Sequence, residues 1–242
     1  MENIVEFMVS GKFALFTDPL SKIGGEKCSY QIPTYEALKG ILSSVYWKPT
    51  IIWIIDKLRV MNPIRTQTRN IRPIKYSGIY PAVNDLAMYT YLIDVKYQVQ
   101  AHFVWNLNRQ DLLDDRNENK HYFVTKRMIK MGGRRDIFLG TRECQGYVEP
   151  CRFGDGEGFY DQYGELQYDL MFHGFDYPDE FGKNEFRARF WKPVMINGIV
   201  NFIPPEKCDQ IKKIYNCAPE IIATSGLNEA GLLEAYIEKG SK

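Results

Sequence analysis

The spacing of apolar and polar residues in the first 50 positions predicts a strand followed by a helix. Apolar residues alternate with other residues over 5–9, as in a half-buried strand. Thr34 is a residue type that caps helix N-termini, and after it apolar side chains recur at i, i+3, i+4 and i+7 from Leu38 to Val45. This spacing places them on one helical face, which we expect to pack against a sheet.

Further elements are predicted before residue 146. A short apolar run and a long, partly alternating stretch predict two strands, and a basic helix follows. The helix opens at Lys120 and ends at the glycine pair 132–133, because glycine takes the left-handed conformation that closes a helix. A last strand completes the order β, α, β, β, α, β, that of a split-βαβ, ferredoxin-like fold that RNA-recognition modules share. The two strands before this helix are predicted at residues 50–55 and 88–105, and the strand after it at residues 137–139.

Residues after 146 predict a smaller, β-rich part. An Asn-Gly pair at 197–198 between two apolar runs predicts a hairpin over 194–202. A short helix is expected over 204–215, and another in the tail after Ser225. We therefore predict an α+β protein of two domains. They comprise residues 1–146, which are ferredoxin-like, and residues 147–242, which are β-rich with short terminal helices.

Charge is distributed unevenly along the chain. The 242 residues carry a net charge of only +1, yet residues 39–75 carry +7, residues 120–142 carry +6 and residues 155–185 carry −8. Such asymmetry indicates one half that faces nucleic acid and an acidic half that faces elsewhere.

Two basic segments are candidate contacts to a nucleic-acid backbone. Two arginines at 134–135 follow the glycine pair at a tight corner, where forked guanidinium groups suit phosphate oxygens. Residues 65–75 are rich in arginine and poor in large apolar side chains, so they predict a projecting hairpin arm or the lining of a groove. The candidate RNA-binding residues are Arg65, Arg69, Arg72, Lys126, Arg127, Lys130, Arg134, Arg135 and Arg142.

Three histidines limit the search for a general base. His102 is expected on a sheet surface, and His173 in a structural position within a strand. His121 begins the second helix beside Lys120, and both the like charge and the helix dipole favour its neutral form, which can accept a proton near pH 7. From the residues alone, the simpler reading of His121 as a surface histidine at a helix start stays open.

The sequence offers no recognisable metal site or nucleotide motif. Histidines and cysteines do not stand at zinc-ligand spacing, and the acids over 111–118 lack the glycine and final glutamate of a calcium loop. Five cysteines without a C-x-x-C pair argue against a disulfide framework. No signal peptide is apparent, and the longest apolar run, 51–55, is too short to cross a bilayer. We therefore expect a cytoplasmic protein that uses no metal, cofactor or membrane.

RNA can be cut without a metal, because its own 2′-hydroxyl can attack the neighbouring phosphate. Such a site must supply a base, an acid for the leaving oxygen and a cation for the charge at phosphorus. Histidine, tyrosine and lysine suffice, and Tyr46 ends the first helix while Lys120 and His121 begin the second. The sequence leaves open whether these helix ends meet.

Several stretches resemble one known family, in the right order. Residues 132–144, Gly-Gly-Arg-Arg-Asp-Ile-Phe-Leu-Gly-Thr-Arg-Glu-Cys, are similar to a signature of the CRISPR-associated Cas-five family, Dvulg subtype, of type I-C systems. Residues 29–34 with 46–49, and residues 103–106, resemble the same family. Later stretches fit too, so the resemblance covers nearly the whole chain.

The resemblance implies a repeat-RNA endoribonuclease. Members of the family have a ferredoxin-like N-terminal domain with a projecting β-hairpin, and a small β-rich C-terminal domain. They cut the CRISPR repeat hairpin without metal and stay bound to the guide RNA among the other subunits of the type I-C Cascade complex. Their proposed catalytic tyrosine, lysine and histidine fall on Tyr46, Lys120 and His121 here.

Two alternative functions stay open. Other branches of the broad family only bind processed guide RNA as structural subunits, although the presence of Tyr46 with Lys120 and His121 favours the enzyme. The second alternative is a metabolic enzyme that uses the basic corner for a phosphorylated small molecule. The arginine-rich arm argues against it, because a small ligand needs one basic clamp and the chain has two basic regions.

Overall fold

The computed structural model describes residues 3–17, 26–72, 74–75, 83–84 and 86–217. In this part of the chain there are fifteen β-strands and three α-helices. The strands are β1 (Val5–Ala14), β2 (Lys27–Cys28), β3 (Ile51–Val60), β4 (Thr66–Ile71), β5 (Ile74–Lys75), β6 (Val83–Asn84), β7 (Ala87–Trp105), β8 (Ile137–Phe138), β9 (Gln145–Pro150), β10 (Glu165–Gln167), β11 (Met171–Asp176), β12 (Glu185–Trp191), β13 (Val194–Ile196), β14 (Ile199–Asn201) and β15 (Gln210–Asn216). The helices are α1 (Tyr35–Val45), α2 (Glu118–Lys130) and α3 (Pro178–Phe181).

One mixed sheet organises most of the described residues. Its strand order is β10-β13-β14-β3-β7-β1-β9-β8, with β2 and β4 also paired to β7, and β11-β12-β15 form a separate antiparallel sheet. Alternation along the central strands buries one side chain in two, so that Phe7 of β1, Trp53 of β3 and Phe103 of β7 are enclosed. Helices α1 and α2 contact this sheet and each other, and they close the core.

The predicted boundaries of the two main helices are confirmed, with small shifts. Thr34 caps α1, since its Oγ1 accepts the main-chain N–H of Ala37 at 3.1 Å. Helix α2 begins at Glu118, two residues before the predicted start, because Asn117 serves as its N-cap. The glycine pair ends α2 as predicted, with φ of 84° and 109°. Within the described residues, no helix has the length and apolar character needed to cross a bilayer.

The predicted domain boundary at residue 146 lies inside β9. Hydrogen bonding crosses this position, because β9 pairs with β1 and β14 pairs with β3. Buried Arg59 of β3 adds to it by donating to Asp161 and to the carbonyl of Gly156. Residues on both sides of the boundary therefore share one sheet, and the division into 1–146 and 147–242 stays a prediction.

The C-terminal hairpin is confirmed, and the helix predicted to follow it is wrong. Asn197 and Gly198 take φ of 47° and 78° between β13 and β14, as a tight two-residue turn requires. Residues 205–207 form a single 3-10 turn, and β15 then pairs with β12. All residues of β15 are exposed, so a helix at this position would bury little apolar surface. The main-chain hydrogen bonds to β12 therefore determine that the segment is a strand. The tail helix predicted after Ser225 lies outside the described residues.

Strand β7 is long enough to hold the arginine-rich segment far from the helices. Asp94, with φ of 51°, interrupts its alternation. The part before Asp94 pairs with β4 over 66–71, and β4 is exposed along nearly its whole length. This ribbon corresponds to the predicted arm.

Candidate active site

Tyr46 is fixed by the end of α1 and by the strand that follows. Its N–H donates to the carbonyl of Leu42 at 2.9 Å, which closes the helix. Its own carbonyl accepts a hydrogen bond from Trp53 Nε1 at 2.8 Å. The side chain is 4% exposed. The position of its hydroxyl is therefore set by the helix and the sheet together.

His121 points into the core from the first turn of α2. It shares its helix face with Thr125 and Ile129, and these three are the buried residues of α2. Their spacing of four residues places them on one stripe. The reading of His121 as a surface histidine is therefore wrong, since its side chain is 0% exposed. The sequence signal for this burial is that Thr125 and Ile129, a small and an apolar residue, follow His121 by one and two helical turns.

Tyr46 and His121 meet through a buried hydrogen bond. Tyr46 Oη lies 2.8 Å from His121 Nδ1, and His121 Nε2 lies 2.8 Å from the main-chain carbonyl oxygen of Asp115. A carbonyl only accepts, so Nε2 carries a hydrogen, and Nδ1 of the neutral ring is left to accept from the tyrosine hydroxyl. The rings of Phe103 and Trp105 approach the imidazole edge-on, with centroids 6.0 and 5.7 Å away. The end of α1 and the start of α2, whose contact the sequence left open, therefore meet.

Lys120 belongs to the same cluster but faces outward. Its ammonium lies 2.5 Å from Asp115 Oδ1, and the side chain is about half exposed. Thr50 Oγ1 donates to Asp115 Oδ2 at 2.7 Å. The hydrogen bond from Lys120, followed by that from Thr50, lowers the pKa of the Asp115 carboxyl. Asp115 therefore stays ionised at neutral pH and links the strand, the loop and the helix.

Sequence reasoning missed Asp115. The acids over 111–118 were considered only as an imperfect calcium loop. In the part of the chain that the structure describes, no three side chains of the metal-ligating types come together. The usable signal was an acid five residues before Lys120 in a segment that must turn into α2. A loop has no periodicity, so the sequence does not indicate which of its acids faces the site.

The basic corner lies beside Tyr46. The N–H of Arg135 donates to the carbonyl of Ser44 at 3.1 Å, which ties the corner to the last turn of α1. Burial raises the pKa of the Tyr46 hydroxyl, and the guanidinium of Arg134 opposes that shift. Both arginines are exposed. The structure therefore brings the predicted phosphate-binding corner and the predicted catalytic residues to one place.

The remaining basic residues of this half lie on neighbouring surface. Lys126, Arg127 and Lys130 are exposed on α2, on the side away from His121. Lys126 Nζ lies 5.3 Å from the centre of the Tyr122 ring. Arg142 is exposed in the turn after β8. The three cations of α2 are available to a polyanion that follows the outer face of the helix.

The arm is remote from this cluster. Its candidate residues, Arg65, Arg69 and Arg72, are exposed on and beside β4. Arg69 stands opposite Tyr89, whereas the ring beside the imidazole belongs to Trp105, at the far end of the same strand. Trp105 is 16 residues after Tyr89, so the strand between them has a length of at most about 50 Å, at roughly 3.3 Å per residue. A ligand that contacts both must be long.

The other two histidines have structural surroundings. His102 Nδ1 lies 2.9 Å from Asp56 Oδ2 on the sheet surface, as expected. His173 is buried, stacks on Tyr35 at 4.3 Å and lies with Nε2 3.1 Å from the carbonyl oxygen of Ile203. Burial, aided by the charge of Arg189, lowers the pKa of His173 to about 3. It is therefore neutral at physiological pH.

Comparison with known protein families and curated proteins gives matches along most of the chain. The model of the Cas5d family, described as CRISPR-associated protein (Cas_Cas5), matches residues 4–203. Among curated proteins, the CRISPR pre-crRNA endoribonuclease Cas5d of Mannheimia succiniciproducens is 31% identical over 237 residues, covering 88% of this chain and 100% of that protein. The protein of the same name from Thermus thermophilus is 30% identical over 175 residues, covering 68% of this chain and 72% of that protein.

Two solved structures are similar to this chain in fold. A crystal structure titled as a CRISPR-associated protein matches with a TM-score of 0.72 and 35% identity, covering 87% of this chain and 97% of that one. A functionally uncharacterized protein from Streptococcus mutans matches with a TM-score of 0.71 and 36% identity over the same shares. The chain belongs to the Cas5d family of CRISPR-associated proteins.

Proposed function

We propose that this protein is a CRISPR precursor-RNA endoribonuclease that cuts the repeat hairpin without metal, through attack by the RNA's own 2′-hydroxyl. Family membership and the names of both curated relatives support the proposal. The observation that carries it is the 2.8 Å contact between Tyr46 Oη and His121 Nδ1. Beside Lys120, this pair forms a set of side chains that can move protons and bind developing charge.

The order of the strands supports a ferredoxin-like core. Strands β9, β1, β7 and β3 are adjacent in the main sheet, with α1 between β1 and β3 and α2 between β7 and β9 along the chain. This is the connectivity of a split-βαβ unit. In this proposal residues 1–146 supply most of that core with its projecting hairpin, and β9 crosses the boundary to complete it. The described residues after β9 form a β-rich domain attached to the edge of β3.

Tyr46 and His121 act together as the base. The 2′-hydroxyl gives its proton to Tyr46 Oη while Tyr46 gives its own to His121 Nδ1, and the 2′-oxygen bonds to phosphorus. The bond from phosphorus to the 5′-oxygen then breaks, and the released 5′-oxygen takes a proton from water. The hydroxide that this leaves takes back the proton held on His121 Nδ1, through Tyr46, which restores the neutral pair. The products are a 2′,3′-cyclic phosphate and a 5′-hydroxyl. A tyrosine hydroxyl is protonated at neutral pH, and burial raises the pKa of Tyr46 further, so its hydroxyl carries a proton before RNA binds.

Lys120 stabilises the negative charge that develops at phosphorus. In the RNA-free protein its ammonium is held by Asp115, but the lysine side chain is 52% exposed. An ion pair with this exposure contributes only about 0–1 kcal/mol. The ammonium can therefore turn to a phosphate at little cost.

The RNA path follows the basic surfaces. Phosphates of the repeat contact the corner at 134–135 and the outer face of α2, and the arm contacts a distant part of the same RNA. The distance of about 50 Å along β7 fits a folded hairpin rather than a mononucleotide. After cleavage the product stays bound, and the protein remains with the guide RNA and the other subunits of the type I-C Cascade complex in the cytoplasm.

One observation favours a non-catalytic guide-RNA subunit as a second candidate. His121 is fully enclosed, and both of its ring nitrogens have partners within the protein. A purely structural Tyr–His pair would look the same. For catalysis, the Lys120 side chain must turn away from Asp115 to admit RNA to Tyr46.

Substitution of His121 tests the proposal. His121→Gln should lower single-turnover cleavage of a labelled repeat hairpin on the order of 10²- to 10⁴-fold while RNA affinity is kept. His102→Gln is the matched control, because His102 lies on the sheet surface beside Asp56. Cleavage by folded His121→Gln at the wild-type rate would rule out its assignment as the base. Tight binding without cleavage by the wild-type protein would establish the structural subunit.

A further inference from the structure

We propose that Asp115 is the positioning residue of this site, which fixes Lys120 and His121 relative to each other before RNA arrives. The proposal rests on the proposed endoribonuclease function. Asp115 contacts Lys120 through its carboxylate and His121 through its main-chain carbonyl. Thr50, the residue before β3, donates to the carboxylate and holds it in place.

The oxygens of Asp115 serve separate partners. Its main-chain carbonyl lies 2.8 Å from His121 Nε2 and also accepts the N–H of Asn117 at 2.8 Å. Its carboxylate accepts from Lys120 Nζ at 2.5 Å and from Thr50 Oγ1 at 2.7 Å. The carbonyl thereby places the ring hydrogen of His121 on Nε2 and frees Nδ1 for Tyr46, while the carboxylate sets the position of the lysine.

The segment that carries Asp115 is anchored to the rim of the main sheet. Arg116 Nη2 donates to the carbonyl of Asn106 at 3.0 Å, and the N–H of Asn106 donates to the carbonyl of Thr50 at 2.9 Å. Thr50, which is buried, then gives its hydroxyl to the aspartate. The carboxylate therefore stays with the strand when Lys120 turns to a phosphate.

Affinity for RNA does not explain an aspartate at this position. A carboxylate beside a phosphate site repels the ligand. A lysine has a long, flexible stem, and without a partner it samples many rotamers. A fixed carboxylate holds the ammonium next to the imidazole, which keeps the reacting groups in register.

The test is a double-mutant cycle on cleavage of a labelled repeat hairpin RNA. Asp115→Asn should lower the single-turnover rate roughly 10- to 100-fold, the size expected when a reacting group loses its placement. RNA affinity should be unchanged or tighter, because a negative charge is removed. In a Lys120→Ala background the same substitution should have a smaller effect, since the carboxylate then acts only on His121, whose Nε2 lies 3.6 Å from Oδ2. Asp115→Glu, which keeps the carboxylate, should recover part of the rate.

Asp114→Asn is the matched control, because Asp114 is exposed one residue earlier and its change alters net charge equally. Asp115→Asn that cleaves at the wild-type rate, or that loses the same factor with and without Lys120, would overturn the proposal. If Asp115→Asn does not fold, Thr50→Val removes only the anchoring hydroxyl, and a wild-type rate in that variant would overturn the proposal as well. Absence of cleavage by the wild-type protein would instead refute the endoribonuclease function itself.

Discussion

Replacing Tyr46 with phenylalanine removes one oxygen and tests the proton path directly. The phenyl ring keeps its packing at the end of α1, but His121 Nδ1 loses the hydroxyl that donates to it at 2.8 Å. Because the imidazole is 0% exposed, water cannot replace that donor. A buried acceptor left without a partner costs about 1–3 kcal/mol. We therefore expect Tyr46→Phe to lose roughly that much free energy of unfolding.

The effect of Tyr46→Phe on catalysis should be larger than its effect on stability. Without Oη the 2′-hydroxyl has no relay to His121, so the cleavage rate should fall on the order of 10²-fold or more. RNA affinity should be unchanged, since the basic corner and the arm are intact. The assays are single-turnover cleavage with protein in excess, filter binding, and denaturant unfolding of the same preparations.

Tyr35→Phe is the matched control. Tyr35 is buried in the same helix, and its hydroxyl makes only a long contact of 3.4 Å to the carbonyl of Trp53. This variant should cleave at the wild-type rate. If Tyr46→Phe also cleaves at that rate while folded, the hydroxyl is not in the proton path and the assignment of Tyr46 and His121 as a unit is wrong.

Three further predictions concern RNA binding and stability. Arg69→Ala should weaken RNA binding and reduce the slope of log Kd against log salt by about 0.7–0.9. The reason is that one exposed guanidinium bound to one phosphate releases about one counterion. An unchanged slope would show that Arg69 does not contact the RNA. Arg59→Met should lower the free energy of unfolding by about 2–4 kcal/mol, because Asp161 loses its cationic partner and buried Gln98 loses one donor. A loss of less than about 1 kcal/mol in denaturant unfolding would contradict this. Lowering the pH from 7 to 5 should reduce the free energy of unfolding of the wild type by about 2 kcal/mol, and His173→Phe should not show this loss. Burial lowers the pKa of His173 from 6.5 to about 3, so the unfolded chain takes up the proton first as the pH falls. Equal pH dependence in both proteins would contradict this prediction.

Elements with local signals could be predicted from the sequence. The apolar stripe and the cap at Thr34 specify α1, and the Asn-Gly pair at 197–198 specifies the hairpin, because each depends on residues a few positions apart. Strand β15 could not be predicted in this way. Its conformation depends on hydrogen bonds to β12, whose paired residues lie 20 to 31 positions earlier in the chain.

The candidate site was predicted in its members but not in its arrangement. The basic corner and the residues Tyr46, Lys120 and His121 come from residue chemistry and from the family resemblance. Their contact depends on how two helices pack on one sheet, which no local pattern encodes. The burial of His121 and the role of Asp115 follow from that packing, so they emerge only from the structure.

Cleavage of a repeat hairpin RNA by the wild-type protein in excess EDTA tests the central claim most directly. The control RNA carries a single 2′-deoxy nucleotide at the cut. We predict cleavage in EDTA that yields a 2′,3′-cyclic phosphate, and no cut in the deoxy control. Cleavage of the deoxy RNA, or loss of activity in EDTA, would contradict a metal-free attack by the 2′-hydroxyl.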